Sequence, residues 1–294
     1  MEQRTFGNTG LKVSALGFGA GHIGGEEISE KDAEIFLNKI VDTEITLIDT
    51  ARAYGLSEER IGKYLSSRRQ EFVLSTKVGY GIPGYKDWTF DCVRAGIDEA
   101  LRVLRTDHID IVHLHSCPIG TLEWGEPLRA LEQAVHDGKV RVAAYSGEND
   151  ALAWAIDNGR FGSIEHSVNI CDQRVIENLL PRAQAKGLGI IAKRPVANAP
   201  WRFVECPVSH YAEEYWWRWK TMDVDPRGRD WQEIALRFAA FTPGVHSCIV
   251  GTTNIDHLNQ NISIIGKGPL PPDMYDEIKA AFKANDPGWW IGQV

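Results

Sequence analysis

Short apolar, β-prone runs alternate along this chain with longer stretches that carry one apolar face, and this alternation constrains the fold more than any other feature. The runs end near Gly19, Asp49, Val78, His115, Ser146, Val168, Pro195 and Gly251, which makes eight candidate strand ends. Strands separated by helical stretches are the signature of βαβ units, whose crossover helices lay successive strands parallel. Eight such units predict a (β/α)8 TIM barrel, a fold that commonly needs about 250 residues as one unit. The 294 residues are therefore read as a single domain spanning 1–294. Between the strands, the segment from Ser29 to Val41 reads as a helix with Ser29 as its cap, because a serine oxygen can accept from the free amides of a first turn. From Phe90 to Leu104, the residues Phe90, Val93, Ile97, Leu101 and Leu104 keep one helical face apolar. Gly138 punctuates another helix just before a strand. The stretch from Pro195 to Asp230 is too long for an ordinary βα connection, and it implies long loops on the face where barrel active sites lie.

A hydrophobic fraction of 43% with 24% charged residues suits a soluble globule with a substantial core. A net charge of -8 argues against a nucleic-acid partner. No apolar run approaches the ~20 residues of a membrane span, and Met1-Glu2-Gln3-Arg4 lacks the apolar stretch of a secretory signal. A cytoplasmic protein is expected. The five cysteines, Cys92, Cys117, Cys171, Cys206 and Cys248, are odd in number and show no metal-type spacing, as suits a reducing compartment.

Four of the strand ends carry groups that handle protons. Asp49 closes an apolar run and Tyr54 follows in the next loop, Lys77 lies near the end of another run, and His115 ends Asp110-Ile111-Val112-His113-Leu114-His115. A barrel gathers the loops after its parallel strands on one face, so these groups form a candidate site. The ordinary tyrosine pKa near ~10 is too high for proton exchange near neutrality. A lysine ammonium about 4 Å away, at an effective dielectric of ~20, favours phenolate by roughly 4 kcal/mol, or about three pKa units, before burial opposes it. Lys77 is the candidate for that charge, and Asp49 is the candidate to keep Lys77 ionised. The same two residues also read as a structural buried ion pair. Alternation puts His113 on the same strand face as His115 but one layer deeper, which predicts a hydrogen-bonded interior imidazole. His113-x-His115 resembles a metal-ligand spacing, but two histidines fall short of a zinc set and no third ligand stands at a matching position, so no metal is expected.

Asp49, Tyr54, Lys77 and His115, with their flanking Asp-Thr-Ala-x-x-Tyr-Gly and Asp-x-x-x-x-His patterns, resemble the catalytic tetrad of the aldo-keto reductases. The resemblance runs end to end. Arg4 to Ser14 is similar to the family's N-terminal β-hairpin, and Val250 to Asn254 with Gln260 and Asn261 is similar to its phosphate-binding segment. It implies reversible reduction of an aldehyde or ketone to an alcohol with a nicotinamide cofactor. Tyr54 would be the general acid, Lys77 its tuning charge, Asp49 the partner of Lys77, and His115 the residue that orients the carbonyl or relays the proton.

By the same resemblance, Gly251, Thr252, Thr253, Asn254, His257, Gln260 and Asn261 hold the cofactor's phosphates. Ser146, Glu165 and Asn169 hold its carboxamide, and Lys193 stands where many relatives stack a tyrosine. Glu165 occupies the place of a common glutamine, and Gly147 that of an asparagine. Strongly NADP-selective members put basic residues where Thr252 and His257 stand, so NADP(H) is favoured by family habit while NAD(H) fits the charges as well. Some relatives are channel subunits, which makes a nicotinamide-binding partner subunit with the same barrel the alternative reading.

His22, Trp88 and Trp124 follow the first, third and fourth strands and are candidate substrate contacts. The aromatic run Tyr215-Trp216-Trp217-Arg218-Trp219-Lys220 fits a pocket wall, a face packed on its own barrel or a subunit contact equally well. The segment Asn285 to Trp290 fits either a pocket cover or a packed tail.

Overall fold

The computed structural model describes residues 1–293. A two-stranded antiparallel hairpin comes first, with β1 at Gln3–Thr5 and β2 at Lys12–Ser14. The barrel strands follow as β3 (Leu16–Gly19), β4 (Leu47–Asp49), β5 (Val73–Val78), β6 (Ile109–His115), β7 (Val140–Ser146), β8 (Ser163–Ser167), β9 (Gly189–Lys193) and β10 (Ser247–Val250). All eight pair in parallel and in sequence order, and β10 closes the ring onto β3. Helices alternate with the strands, so the architecture is a (β/α)8 barrel with an N-terminal hairpin. Each strand ends within two residues of the position its sequence pattern marks. Among the described residues, no helix is long and apolar enough to cross a membrane.

Local signals explain the helix starts. The Ser29 side chain accepts the Asp32 amide at the head of Glu30–Val41, and the Thr89 side chain accepts the Cys92 amide at the head of Phe90–Leu104. These contacts satisfy amides that a first turn leaves without intrahelical partners. Gly138, at φ +75°, makes the turn from the helix Glu126–His136 into β7.

Two apolar layers stabilise the ring. Outside it, the inner faces of the helices pack on the strands, as with Phe36, Leu37 and Ile40 or Val93, Ile97 and Leu104, all buried. A smaller cluster contains Phe6, Leu11 and Val13 of the hairpin region together with Leu47, Ile111, Val142, Ile191 and Ile249 of the strands. This hairpin segment closes the barrel at the end opposite the strand C-termini. A Cβ on Gly189 would collide with the Phe6 ring, so the start of β9 needs glycine there.

The long segment after β9 is not one loose loop. It contains a short 3-10 turn at Pro200–Arg202 and the helix Glu213–Met222. Trp219 packs edge-on against Trp231 with centroids 5.6 Å apart, and Trp201 stacks on Trp231 at 6.2 Å. Tyr215 is fully buried and its hydroxyl donates to Asp172 at 3.2 Å. Most of the run therefore packs on its own barrel, while Trp217 stays exposed. The tail also packs down. Trp290 lies against Phe282 at 5.3 Å, and Asn149 and Gly292 exchange hydrogen bonds of 3.0 and 2.9 Å.

Phe6→Ala removes a fully buried ring from the barrel's closed end. It is expected to lower the free energy of unfolding in urea by about 3–5 kcal/mol, through lost burial and the cavity left behind. An unchanged urea midpoint would show that the hairpin does not contribute to closing the core.

Candidate active site

Register builds the centre of the site. Asp49 on β4 pairs with Ser75 on β5, and Lys77, two residues on, pairs with His113 on β6. His115, Ser146 and Glu165 form one row across β6, β7 and β8. Tyr54 joins from the loop after β4, where its amide donates to Ala51 O at 3.0 Å. Gly24 lies directly against the Tyr54 carbonyl, a closeness that any Cβ would prevent.

The Lys77 ammonium is buried and donates to Asp49 and, at 3.0 Å, to the Thr50 carbonyl. Its second acidic neighbour is Glu165, 3.4 Å away. Ser75 Oγ donates to Asp49 at 2.7 Å, and His113 Nε2 lies 3.1 Å from the same hydroxyl. His113 is the interior imidazole that strand alternation predicts. Asp49, His113 and Glu165 place ligand-type atoms within 4.8 Å of one another, a clustering invisible in the His113-x-His115 spacing. The Lys77 ammonium contacts both carboxylates and supplies the balancing positive charge there.

The electrostatics differ from the expectation that Lys77 would draw the phenol pKa down. The Lys77 ammonium lies 5.3 Å from the Tyr54 ring centre and is the largest single influence, pulling the phenol down. Burial together with the Asp49 and Glu165 carboxylates outweighs it, and Tyr54 is pushed up to about 12. Burial and the neighbouring Glu165 push the Asp49 carboxyl up, against the Lys77 ammonium and the Ser75 hydroxyl that hold it down. Burial also drives Glu165 up, but Lys77, His113 and Lys193 together hold it at about 2. Burial, with the Lys77 charge beside it, lowers His115 to about 3, so its imidazole is neutral at ordinary pH.

Asp49, Tyr54, His115, Ser146, Glu165 and Lys193 all line one cavity of about 490 Å³. The rings of Tyr54 and His115 meet edge to face at 6.2 Å. Lys193 turns its ammonium to Glu148 at 3.3 Å, and Arg194 beside it stacks its guanidinium over Tyr211 at 4.9 Å. A second cleft of about 870 Å³ shares His22, Arg194, Tyr211 and Gly251 with the first. Thr252, Thr253, Asn254, His257, Gln260, Asn261 and Arg202 line it. At Gly251 a Cβ would lie 2.8 Å from the His22 ring, so glycine keeps the junction open. Asn254 caps the helix Ile255–Gly266, its side chain accepting the Asp256 amide at 2.7 Å and the His257 amide at 3.3 Å. Two of the amides expected to face an anion are therefore already satisfied within the chain.

A family model described as "Aldo/keto reductase family" matches residues 15–283. The chain belongs to the aldo-keto reductase family. It is 29% identical to L-galactose dehydrogenase of Arabidopsis thaliana over 90% of this chain and 88% of that protein. It is also 25% identical to a probable voltage-gated potassium channel subunit beta of Oryza sativa, with 97% of each chain covered. Among solved structures, the holo form of an aldo-keto reductase from Bacillus halodurans superposes with a TM-score of 0.82, at 27% identity over 96% of each chain.

Besides Lys77, which is buried behind the lining, three sequence candidates lie away from it. Asn169 is fully buried, its side-chain oxygen accepting the Cys171 amide at 2.8 Å. Trp88 packs against Gly79 and Tyr80, and Trp124 is 60% exposed. Trp88 follows β5 in a loop and Trp124 ends the helix Ile119–Trp124 after β6, and strand counting carries no information on side-chain direction in either. Conversely, the sequence pattern alone missed Tyr80. Its hydroxyl lies 2.9 Å from His115 Nδ1 and its ring stacks on the imidazole at 5.6 Å. The one signal for it was a phenol three residues beyond Lys77, in the loop after the same strand.

Lys77→Met leaves two buried carboxylates without their ammonium. The variant is expected to be about 3–5 kcal/mol less stable, as measured by denaturant unfolding. Adding Asp49→Asn and Glu165→Gln to it should recover about half of that loss or more, because the uncompensated charges are gone. Failure of the triple variant to recover would assign the loss to packing of the lysine stem.

Proposed function

We propose that this chain is an NAD(P)H-dependent oxidoreductase that reversibly reduces an aldehyde or ketone to an alcohol, with Tyr54 as the general acid. The supporting observation is the placement of Tyr54 and His115 on one cavity, with Lys77 buried behind the phenol and a larger cleft adjoining it. The volume of that cleft, with its threonine, asparagine and glutamine lining, suits a dinucleotide. When bound, the nicotinamide supplies the hydride.

Tyr54 gives its proton to the carbonyl oxygen as the carbon is reduced, which stabilises the developing alkoxide. A phenol held near 12 remains protonated across the neutral range and is thus set to donate. His115, kept neutral, orients the carbonyl. In the tautomer whose Nδ1 accepts from the Tyr80 hydroxyl, Nε2–H is the ring's free donor. Ser146 and Glu165, on the cavity wall, would hold the nicotinamide's carboxamide, and Lys193 would stand beside its ring.

The polar lining formed by His22, Tyr54, His115, Ser116, Arg194 and Tyr211 suits a small hydroxylated carbonyl. Likeness to L-galactose dehydrogenase supports a sugar or related polyol as the reduced or oxidised partner. Likeness to a potassium channel beta subunit favours the second reading, a nicotinamide-binding partner subunit. Turnover of a panel of aldehydes and sugars by the isolated chain decides between them.

Tyr54→Phe is expected to lower carbonyl reduction at least about 100-fold, because phenylalanine has no proton to give. Cofactor binding, followed by protein fluorescence, should be retained. Near-normal turnover by a folded variant would remove Tyr54 from this role.

NADP(H) is the favoured cofactor, with NAD(H) also accommodated. Arg202 and His257 line the cleft and are the groups offered to a 2'-phosphate. Arg202→Ala should weaken NADPH binding about tenfold and NADH binding less, and His257→Arg should widen the difference, since an arginine–phosphate contact contributes about 1.5 kcal/mol or more. Dissociation constants for both cofactors check this, and an unaltered ratio in both variants would place the 2'-phosphate elsewhere.

A further inference from the structure

Glu165 is more deeply engaged with the proton-handling centre than a hydrogen-bond acceptor for a carboxamide needs to be. Its side chain is 1% exposed, at the middle of β8. Oε1 lies 3.4 Å from Lys77 Nζ and accepts from Ser146 Oγ at 3.3 Å. Oε2 lies 3.7 Å from His113 Nε2, and no hydrogen-bond donor reaches it among the described residues. Asp49 already receives Lys77 and Ser75, so the ammonium has its counter-ion without Glu165. A glutamine at 165 would keep the size and the serine contact but carry no charge.

The surrounding charges can be counted strand by strand. β4 contributes Asp49, β5 contributes Lys77, β6 contributes His113 and His115, and β9 contributes Lys193, with Tyr54 entering from the loop after β4. Burial holds both histidines neutral, at about 4 and about 3. The Lys193 charge is balanced by Glu148. One effective ammonium thus faces two carboxylates, and a phenolate at Tyr54 would be a third negative charge on the same cation.

We propose that Glu165 is a positioning residue of the reaction, a second carboxylate on Lys77 that draws the ammonium's field away from Tyr54 and keeps the phenol in its proton-donating form. This rests on the reading of Tyr54 as the general acid. Its consequence is directional. The site is biased toward giving a proton in reduction, and alcohol oxidation, which needs phenolate as the base, is held to high pH. Both carboxylates push the Tyr54 phenol up, in agreement with this.

The test substitutes Glu165→Gln, close in shape and neutral, beside Glu165→Asp, which keeps the charge. Tyr54 ionisation is followed by phenolate absorbance, with Tyr54→Phe subtracting the other tyrosines, so the readout needs no turnover. Removing a neighbouring negative charge stabilises phenolate, so Tyr54 should ionise about one pH unit or more lower in Glu165→Gln, with Glu165→Asp close to the native protein. The pH profiles should move with it. The high-pH loss of reduction moves down by the same amount, and oxidation at pH ~8 rises about tenfold for every pH unit by which the Tyr54 ionisation falls.

An unmoved ionisation and unmoved profiles overturn the proposal. A change confined to the cofactor's dissociation constant also overturns it, in favour of a role limited to the carboxamide. Should Glu165→Gln fail to fold, Glu165→Met serves the same titration. A shifted Tyr54 in a native protein that reduces no carbonyl would sink the reductase reading while leaving the electrostatic coupling intact.

Discussion

The buried ammonium of Lys77 is the interaction on which the rest of the site depends. A lone ammonium deep in a barrel would lose its hydration and discharge, so its presence requires acids close by. Asp49 provides one from the neighbouring β4 and Glu165 the other from β8 across the barrel, and Ser75 and Ser146 satisfy part of the carboxylates' remaining capacity. Charge, burial and strand register are thus mutually dependent here. Moving β5 by one residue would turn Lys77 out of the interior and leave both acids unpaired.

From this centre the effects spread outward through contacts rather than sequence neighbours. Lys77 and its acids set how firmly Tyr54 holds its proton. Tyr80 holds the His115 ring by a stack and a hydrogen bond, which fixes its orientation toward the same cavity. The long segment after β9 contributes Tyr211 and Arg202 to the mouth, and it is itself anchored by the buried Tyr215 and by Arg218, which donates to the Cys171 and Ile291 carbonyls. Arg194 also donates to the Gln293 carbonyl, so the tail reaches the cavity wall without covering the site as a separate lid.

Much of this architecture is legible in local pattern. The change of period between strand and helix marks each unit, Ser29 marks a helix start through its own chemistry, and alternation along β6 places His113 on the face of His115 but one layer deeper. These readings succeed because they depend on side chains a few residues apart on one element. Trp88, Trp124 and Asn169 lie beyond the strands, where the direction of a side chain is not readable from strand counting. A loop's backbone, unlike a strand's, has no fixed alternation to aim a side chain.

By itself, the sequence determined the eight-unit barrel, the face on which its chemistry gathers and the four groups at the strand ends, because periodicity and strand-end position are properties of the chain. Tertiary structure alone decided that Glu165 would share Lys77 with Asp49, that the phenol would be raised and not lowered, and that Tyr80 would hold His115. The physical reason is that electrostatic interaction depends on distance and burial. Residues 49, 77 and 165 come within a few ångströms of one another only when the ring closes and water leaves its interior.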